Sequence, residues 1–260
     1  MEILTPHSLE EALRLKSEHP DALPIQGGTD VMVALNFDRG RPETVLNLNE
    51  VAELRGWSRP NGEVRLGAGL TYAEAMRGEL AELMPALAEA SRTVGSPQIR
   101  NRGTIGGNLG TASPAGDALP PLVVEGAEVE CVSTRGSRRV PLVEFVTGVK
   151  RTALEPDELI AAVWLHPSAA PQTFMKIGPR NAMVIAVVSL AVSAGDELRA
   201  SFGSASPRPV LVTAPREEAA TFAERVASAA SPIDDVRGTG RYRAHALRIL
   251  TERALKRVLV

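Results

Sequence analysis

Ser96-Pro-Gln-Ile-Arg-Asn-Arg-Gly-Thr-Ile-Gly-Gly-Asn-Leu-Gly-Thr-Ala-Ser-Pro-Ala-Gly-Asp117 is the stretch that least resembles ordinary core or surface. Gly103, Gly106, Gly107, Gly110 and Gly116, with Pro97 and Pro114, disfavour both a long helix and a regular strand, so the composition predicts a shaped loop. Such a loop costs backbone entropy, and globular proteins usually keep long structureless loops where they bind something. Gly106 and Gly107 tolerate positive φ and carry no β-carbon, which lets successive backbone N–H groups converge on an anion. Thr104, Asn108, Thr111 and Ser113 would add neutral hydrogen-bonding groups. That chemistry suits a diphosphate.

Read alone, a Gly-Gly pair is an ordinary turn. Here a second loop of similar chemistry, Gln26-Gly27-Gly28-Thr29-Asp30, follows the apolar run Leu23-Pro24-Ile25, which reads as a short strand. Val31 to Leu35 begins a helix whose first N–H groups face that loop, and the positive end of a helix would reinforce diphosphate binding. Neither loop is a common nucleotide fingerprint. No lysine follows the glycines as a P-loop requires, and Gly103-Thr104-Ile105-Gly106-Gly107 misses the G-x-G-x-x-G spacing.

Outward from these loops the chain reads as mixed α and β. Ser8 and Glu11 form a capping-box pattern ahead of an amphipathic helix, and Thr44 to Leu48 is the strand that completes a small α/β unit. From Gly56 onward strands dominate: Asn61-Gly62 signals a hairpin before Val64 to Leu66, Ala127 to Val132 and Arg138 to Val140 alternate around Gly136, and Leu159 to Leu165 is apolar. Thr71 with Glu74 is a second capping box, and Pro85 suits the first turn of a helix from Ala86 to Val94 that ends at Gly95. Pro167 to Pro171 is the best linker. Beyond it lie strands at Thr173–Ile177, Val184–Ala194 and Leu198–Ser204, a turn at Gly195-Asp196, and helices from Glu217 to Ala230 and Tyr242 to Val258.

The composition narrows the function. The 260 residues can bury a substantial core, and 44% hydrophobic with 23% charged residues is globular composition. A formal charge of -2 with scattered arginines gives no footprint for nucleic acid. No apolar run approaches the length of a membrane span and the N-terminus carries no secretory signal, so a cytoplasmic protein is expected. His7, His19, His166 and His245 are scattered and suggest neither a metal site nor a triad, and Asp234-Asp235 reads as helix capping. Cys131 reads as a small core residue; one cysteine cannot ligate an iron–sulfur cluster. The reactivity would have to come from a cofactor.

Gly27-Gly28-Thr29-Asp30, and Thr104-Ile105-Gly106-Gly107-Asn108 within the run from Gly95 to Gly103 that precedes it, resemble the two FAD-diphosphate loops of the molybdenum hydroxylase flavoproteins. That family includes the medium subunit of aerobic carbon monoxide dehydrogenase and the FAD domain of xanthine dehydrogenase. The similarity continues through Ala112 to Asp117, Val140-Pro141-Leu142, Glu158-Leu159-Ile160 and Pro232-Ile233-Asp234-Asp235-Val236-Arg237. The resemblance implies an α+β fold: a two-part FAD-binding region of the PCMH (vanillyl-alcohol oxidase-like) type over residues 1–166, with subdomains of about 1–55 and 56–166. A C-terminal antiparallel-sheet and helix domain over 172–260 would follow. It implies cofactor contacts from Pro24, Ile25, Gln26, Gly27, Gly28, Thr29, Asp30 and Val31, and from Thr104, Ile105, Gly106, Gly107 and Asn108. Thr111 and Asp117 would lie further along the cofactor, and Ile160 and Lys176 near the flavin ring.

Physically, Thr29 and Asn108 can hydrogen-bond phosphate oxygens, whereas Asp30 and Asp117 are better acceptors for ribose or ribityl hydroxyls. Plain core packing accounts equally for Ile160, and a solvated surface position for Lys176. Gly110 stands where the family commonly has Ala, and Val94 where the xanthine enzymes have Phe. With no His or Cys in either loop, the expected FAD is non-covalent. The resemblance further implies a molybdopterin large subunit and an iron–sulfur small subunit carrying [2Fe-2S] clusters, assembled as a dimer of heterotrimers, with this chain passing electrons to an external acceptor. A stand-alone FAD-dependent reductase using a nicotinamide donor, and a non-redox assembly protein that keeps the fold, are the rival readings.

Overall fold

A β-strand that delivers a glycine loop must be short and well anchored, and the N-terminal unit meets that need with three strands of three or four residues. In the computed structural model, which describes residues 1–38 and 40–259, β1 (Glu2–Leu4), α1 (Leu9–Glu18), β2 (Leu23–Ile25), α2 (Val31–Asn36) and β3 (Thr44–Asn47) form a parallel sheet in the order β1-β3-β2. Ser8 Oγ accepts from Glu11 N–H at 3.1 Å, while the Glu11 carboxylate accepts from His7 N–H at 2.8 Å, so the expected box closes one residue early. Ala12, Ala22, Leu46, Leu48, Val51 and Leu54 bury against Ala68, Val132, Leu159 and Ala161, fusing this core with the next sheet.

That sheet is antiparallel throughout. Its strands β4 (Trp57–Ser58), β5 (Val64–Gly67), β6 (Glu128–Ser133), β7 (Gly136–Pro141) and, after the small β8 (Val146–Gly148) and β9 (Arg151–Thr152) pair, β10 (Leu159–Leu165), are ordered β4-β5-β10-β6-β7. The β4–β5 turn places Asn61 at φ 53° and Gly62 at φ 84°, the left-handed pair that the Asn-Gly signal predicts. Between Ile160 and Ala162 the β10–β6 register slips, and this bulge re-aims Ile160. Between β5 and β6 run α3 (Tyr72–Ala75), α4 (Gly78–Leu83), α5 (Pro85–Thr93), α6 (Pro97–Arg100), α7 (Ile105–Thr111) and α8 (Leu119–Val124), with α9 (Leu142–Phe145) after β7. The capping box at Thr71 and Glu74 is complete.

Residues 96–117 therefore hold two short helices instead of the single shaped loop expected from their glycine content. Neither Gly106 nor Gly107 has positive φ; both lie inside α7. α8, Leu-Pro-Pro-Leu-Val-Val, is buried along its whole length, its prolines sitting in the first turn where their missing N–H is harmless.

The C-terminal sheet is antiparallel in the order β11 (Gln172–Ile177), β12 (Val188–Ala194), β13 (Glu197–Gly203), β14 (Leu211–Pro215), covered by α10 (Ala219–Ser228) and α11 (Gly240–Val258). Its other face meets α5 and α8 through Ala86, Ala90, Val124, Phe174 and Ala191. With both faces covered, every residue of β12 is buried, which explains its unalternating sequence. β12 starts at Val188, four residues later than expected, and β14 is an edge strand that the sequence pattern does not reveal. The delay has a cause. The Ala186 carbonyl accepts from Ser204 and Arg237, and that of Val187 from the wholly buried Arg243, so these two carbonyls are held by side chains. The N-cap of α11 is Thr239, which accepts from Tyr242 N–H; Asp234 only adds a bond from Gly240 N–H at 2.6 Å, and Asp235 instead receives Arg237 at 2.6 Å and Arg243 at 2.5 Å.

Candidate functional site

Parallel strands leave their loops at one edge, and β2 delivers Gln26–Asp30 there, against the chain that leads into α7. The absence of a side chain at Gly27 is obligatory: a β-carbon would overlap the carbonyl oxygen of Arg102 and lie 3.1 Å from Gly103 Cα. Gly28 turns the chain at φ +71°, a region that L side chains rarely adopt. The N–H groups of Gly27, Gly28, Thr29 and Asp30 donate to no protein acceptor among the described residues, so a run of four donors remains for a ligand. Arg102 braces the loop, its guanidinium reaching the Gln26 carbonyl at 3.4 Å and Asn49 Oδ1 at 3.3 Å.

The second glycine segment works differently from the expected N–H cradle. Thr104 caps α7 by accepting from Gly107 N–H at 3.0 Å, Ile105 N–H donates to Leu70 O at 2.9 Å, and Gly106 N–H donates to Ala68 O at 2.8 Å. The glycines here serve close approach: a β-carbon on Gly106 would sit 2.6 Å from Ala68 Cβ. α7 thus lies flat on the end of β5 and offers a bare wall. Thr111 Oγ1 donates to Asp30 Oδ2 at 3.2 Å, which ties the two segments together.

Two cavities open along this seam. One, of about 340 Å³, lies between Gly27–Asp30 and Thr104, Gly107, Asn108, Thr111 and Asp117. The other, of about 380 Å³ and more apolar, is walled by Pro24, Ile25, Gly106, Gly110, Leu159 and Ile160. Gln26, Asp30, Gly107 and Thr111 line both, so an elongated ligand with an anionic middle and two bulky ends would straddle them. Ile160 accordingly faces a cavity while remaining packed against the core. Val31 lines neither cavity, and Ile105 is fully buried in the core.

Lys176 is not a solvated lysine. Its side chain is 6% exposed and its Nζ meets Asp117 Oδ2 at 2.5 Å and the Thr93 carbonyl at 3.3 Å. One oxygen of Asp117, a residue expected to accept from a ribose or ribityl hydroxyl, is therefore engaged by a lysine. Its other oxygen, Oδ1, is buried without a hydrogen-bond partner among the described residues, as is Asn108 Oδ1. Burial pushes the Asp117 carboxyl upward, opposed by the charge and hydrogen bond of Lys176. Tyr72, against the same cavity, has its phenol raised by burial and then by the Asp117 charge, so it stays neutral and able to donate. No local signal marks Tyr72. Its place follows from the bridge pairing Thr71 with Thr104 and from Tyr72 N–H donating to Gly103 O at 3.1 Å, contacts that exist only in the fold.

These groups fit an FAD molecule. Free N–H groups beside a positive-φ glycine match a diphosphate, and two orphaned, buried acceptors match sugar or ribityl hydroxyls. Among the described residues no cluster of His, Cys, Asp or Glu is placed to hold a metal, and no helix is long and apolar enough to cross a membrane.

Comparison with known proteins agrees with this chemistry. The family model for the FAD binding domain in molybdopterin dehydrogenase matches residues 1–167. The putative xanthine dehydrogenase FAD-binding subunit of Escherichia coli K12 is 28% identical over 95% of this chain and 92% of the relative. The carbon monoxide dehydrogenase medium chain of Afipia carboxidovorans is 30% identical over 97% and 94%. Among solved structures, quinoline 2-oxidoreductase from Pseudomonas putida 86 superposes with a TM-score of 0.91 at 26% identity, covering 100% of this chain and 97% of that one. The carbon monoxide dehydrogenase of Hydrogenophaga pseudoflava that lacks the Mo-pyranopterin moiety superposes with a TM-score of 0.91 at 24% identity, with the same coverage, and shares the fold. The chain belongs to the family of FAD-binding subunits of the molybdopterin dehydrogenases.

Proposed function

We propose that this chain is the FAD-binding electron-transfer subunit of a molybdenum hydroxylase, taking electrons from iron–sulfur clusters on a small partner subunit and passing them to an external acceptor. The observation that carries this reading is the seam where the free N–H groups of Gly27–Asp30 face α7 between two cavities. When bound, FAD supplies a redox centre that can exchange electrons with both one- and two-electron partners. The chain's own residues do the rest. Gly27 to Asp30 hold the diphosphate, and Asn108 and Asp117 take sugar or ribityl hydroxyls. Pro24, Ile25 and Ile160 exclude water from one end of the cofactor and the Lys176–Asp117 pair sets the charge near the other, so of Ile160 and Lys176, both expected beside the flavin ring, only one lies there. The residues lining both cavities include neither His nor Cys, which favours non-covalent attachment.

On this reading molybdopterin and [2Fe-2S] clusters reside on partner chains, in a dimer of heterotrimers in the cytoplasm, and the chain divides near its Pro-rich segment into units 1–166 and 172–260. The relatives support the partnership, since the Afipia protein is by name a medium chain. The test is to purify the chain alone and with co-expressed partners, denature each sample and identify released flavin by chromatography. FAD is expected, and Gly28→Glu, which puts a carboxylate into the diphosphate loop at a left-handed position, is expected to abolish it; an unchanged circular dichroism spectrum separates loss of the site from loss of the fold. A chain and complex that both stay colourless after incubation with excess FAD would overturn the reading.

A further inference from the structure

Beside the first cavity, and sharing Gly95 and Val184 with it, lies a third of about 450 Å³. Its lining contains Arg92, Arg100, Lys176 and Arg180 and no carboxylate. Lys176 is already neutralised by Asp117. Among the described residues none of the three arginines is paired with an acid: Arg100 donates to the Val94 and Gly95 carbonyls at 3.0 and 3.1 Å, Arg180 to the Ala182 and Met183 carbonyls, and Arg92 to no acceptor. Other arginines of this chain do meet acids, as Arg135 with Asp157, Arg138 with Glu158 and Arg237 with Asp235; what sets these three apart is that they line one concave space. Three unneutralised guanidinium groups around one concave space focus a positive potential into it, and their mutual repulsion is relieved when an anion enters. Guanidinium forks also match phosphate and carboxylate oxygens in geometry.

We propose that this cavity is a binding site for an anionic small molecule bearing phosphate or carboxylate groups, separate from the cavities assigned to FAD. Arg92 and Arg180, both exposed and free of acid partners, contact the anion; Arg100, fixed by two backbone carbonyls, forms the back of the site. The inference rests on the FAD reading only in that FAD fills the neighbouring space, and the experiment separates the two.

Inorganic pyrophosphate is titrated calorimetrically into the FAD-loaded chain, into Arg92→Gln/Arg180→Gln loaded in the same way, and into Gly28→Glu. One saturable site is expected in the parent, weakening as NaCl rises. The double variant should bind at least tenfold more weakly while retaining its FAD and its circular dichroism, and Gly28→Glu should bind as the parent does. Carboxylate recognition is read by repeating the titration with citrate. Binding that disappears in Gly28→Glu but survives the arginine changes would place pyrophosphate in the diphosphate loop and overturn the proposal, as would the absence of saturable binding in the parent. Failure of the FAD reading would show separately, as a chain without flavin whose pyrophosphate affinity still depends on Arg92 and Arg180.

Discussion

Gly106→Ala and Gly110→Ala make the same chemical change in the same seven-residue helix and are expected to move stability in opposite directions. At Gly110 the nearest atom to a new methyl group is Ile160 Cδ1 at 3.7 Å, an ordinary contact, and φ is not positive. Alanine there gains helix propensity and restricts the unfolded chain, a stabilisation of about 0.5–1 kcal/mol. At Gly106 the methyl would meet Ala68 Cβ at 2.6 Å, Ala68 O at 2.7 Å and Ala68 Cα at 2.9 Å. Two of those atoms are backbone and cannot rotate away. Overpacking of this kind costs about 1–3 kcal/mol, and moving α7 off β5 also strains the Gly106 N–H to Ala68 O bond, worth about 1 kcal/mol. Against this stands a propensity gain of at most about 1 kcal/mol, smaller at the second position of a helix. The net expectation is a loss of about 1–3 kcal/mol for Gly106→Ala, so the two variants should differ by about 2–4 kcal/mol. Urea unfolding of both flavin-free variants beside the parent measures it, and the thermal midpoint should follow at about 2–4 °C per kcal/mol for a chain of this size. If the two variants shift together, in sign and size, the close-approach account of Gly106 is wrong.

The other predictions concern buried charge. Asp235→Ala leaves the fully buried Arg243 without its carboxylate, and urea unfolding should show a loss of about 3 kcal/mol; a loss under half that size would mean the carbonyls of Val187 and Ser204 suffice for Arg243. Arg237 and Arg243 hold the Asp235 carboxyl below the usual carboxylate range, so its contribution is present above the unfolded-state value near pH 4 and fades on acidification. The Asp235→Ala deficit should therefore shrink as pH falls below about 4. Lys176→Met removes the cation from Asp117, and the carboxyl, already raised by burial, should rise further. A raised folded-state value means that stability is greatest in acid and declines as pH climbs from about 4 through the folded-state value, with about 3 kcal/mol missing at pH 8. A thermal midpoint that follows the parent's pH profile would refute it.

Much of the architecture was legible because it rests on local chemistry. Ser8 and Thr71 announce their helices by capping, Asn61-Gly62 its hairpin by a left-handed pair, and Leu159 to Leu165 its strand by unbroken apolarity. The sequence-based expectation failed where a residue's role depends on a distant neighbour. Glycine content at 106 and 107 reads locally as freedom to turn, yet both glycines are helical, and the one at 106 is explained by Ala68, in the turn just after β5. Strand β12 shows no alternation because helices from two parts of the chain cover both faces, and its start is delayed by Arg237 and Arg243 some fifty residues downstream. The site divides the same way. The loop Gly27–Asp30 can be read from its own residues, whereas Tyr72 and the Lys176–Asp117 pair emerge only when β5, α5 and β11 come together.

The Arg102 guanidinium and the Gln26 carbonyl that brace the glycine loop are 76 positions apart, Thr111 and Asp30 are separated by 81, and Lys176 and Asp117 by 59. No early fragment of a growing polypeptide can contain this site, because the ribosome must release most of the chain before its walls can meet. Closing such long loops is slow and entropically opposed. A nucleotide that recognises only the finished arrangement then acts as a latch, adding about 2.7 kcal/mol at a hundred times its dissociation constant. The yellow colour of a preparation would count the molecules in which these remote segments have found each other.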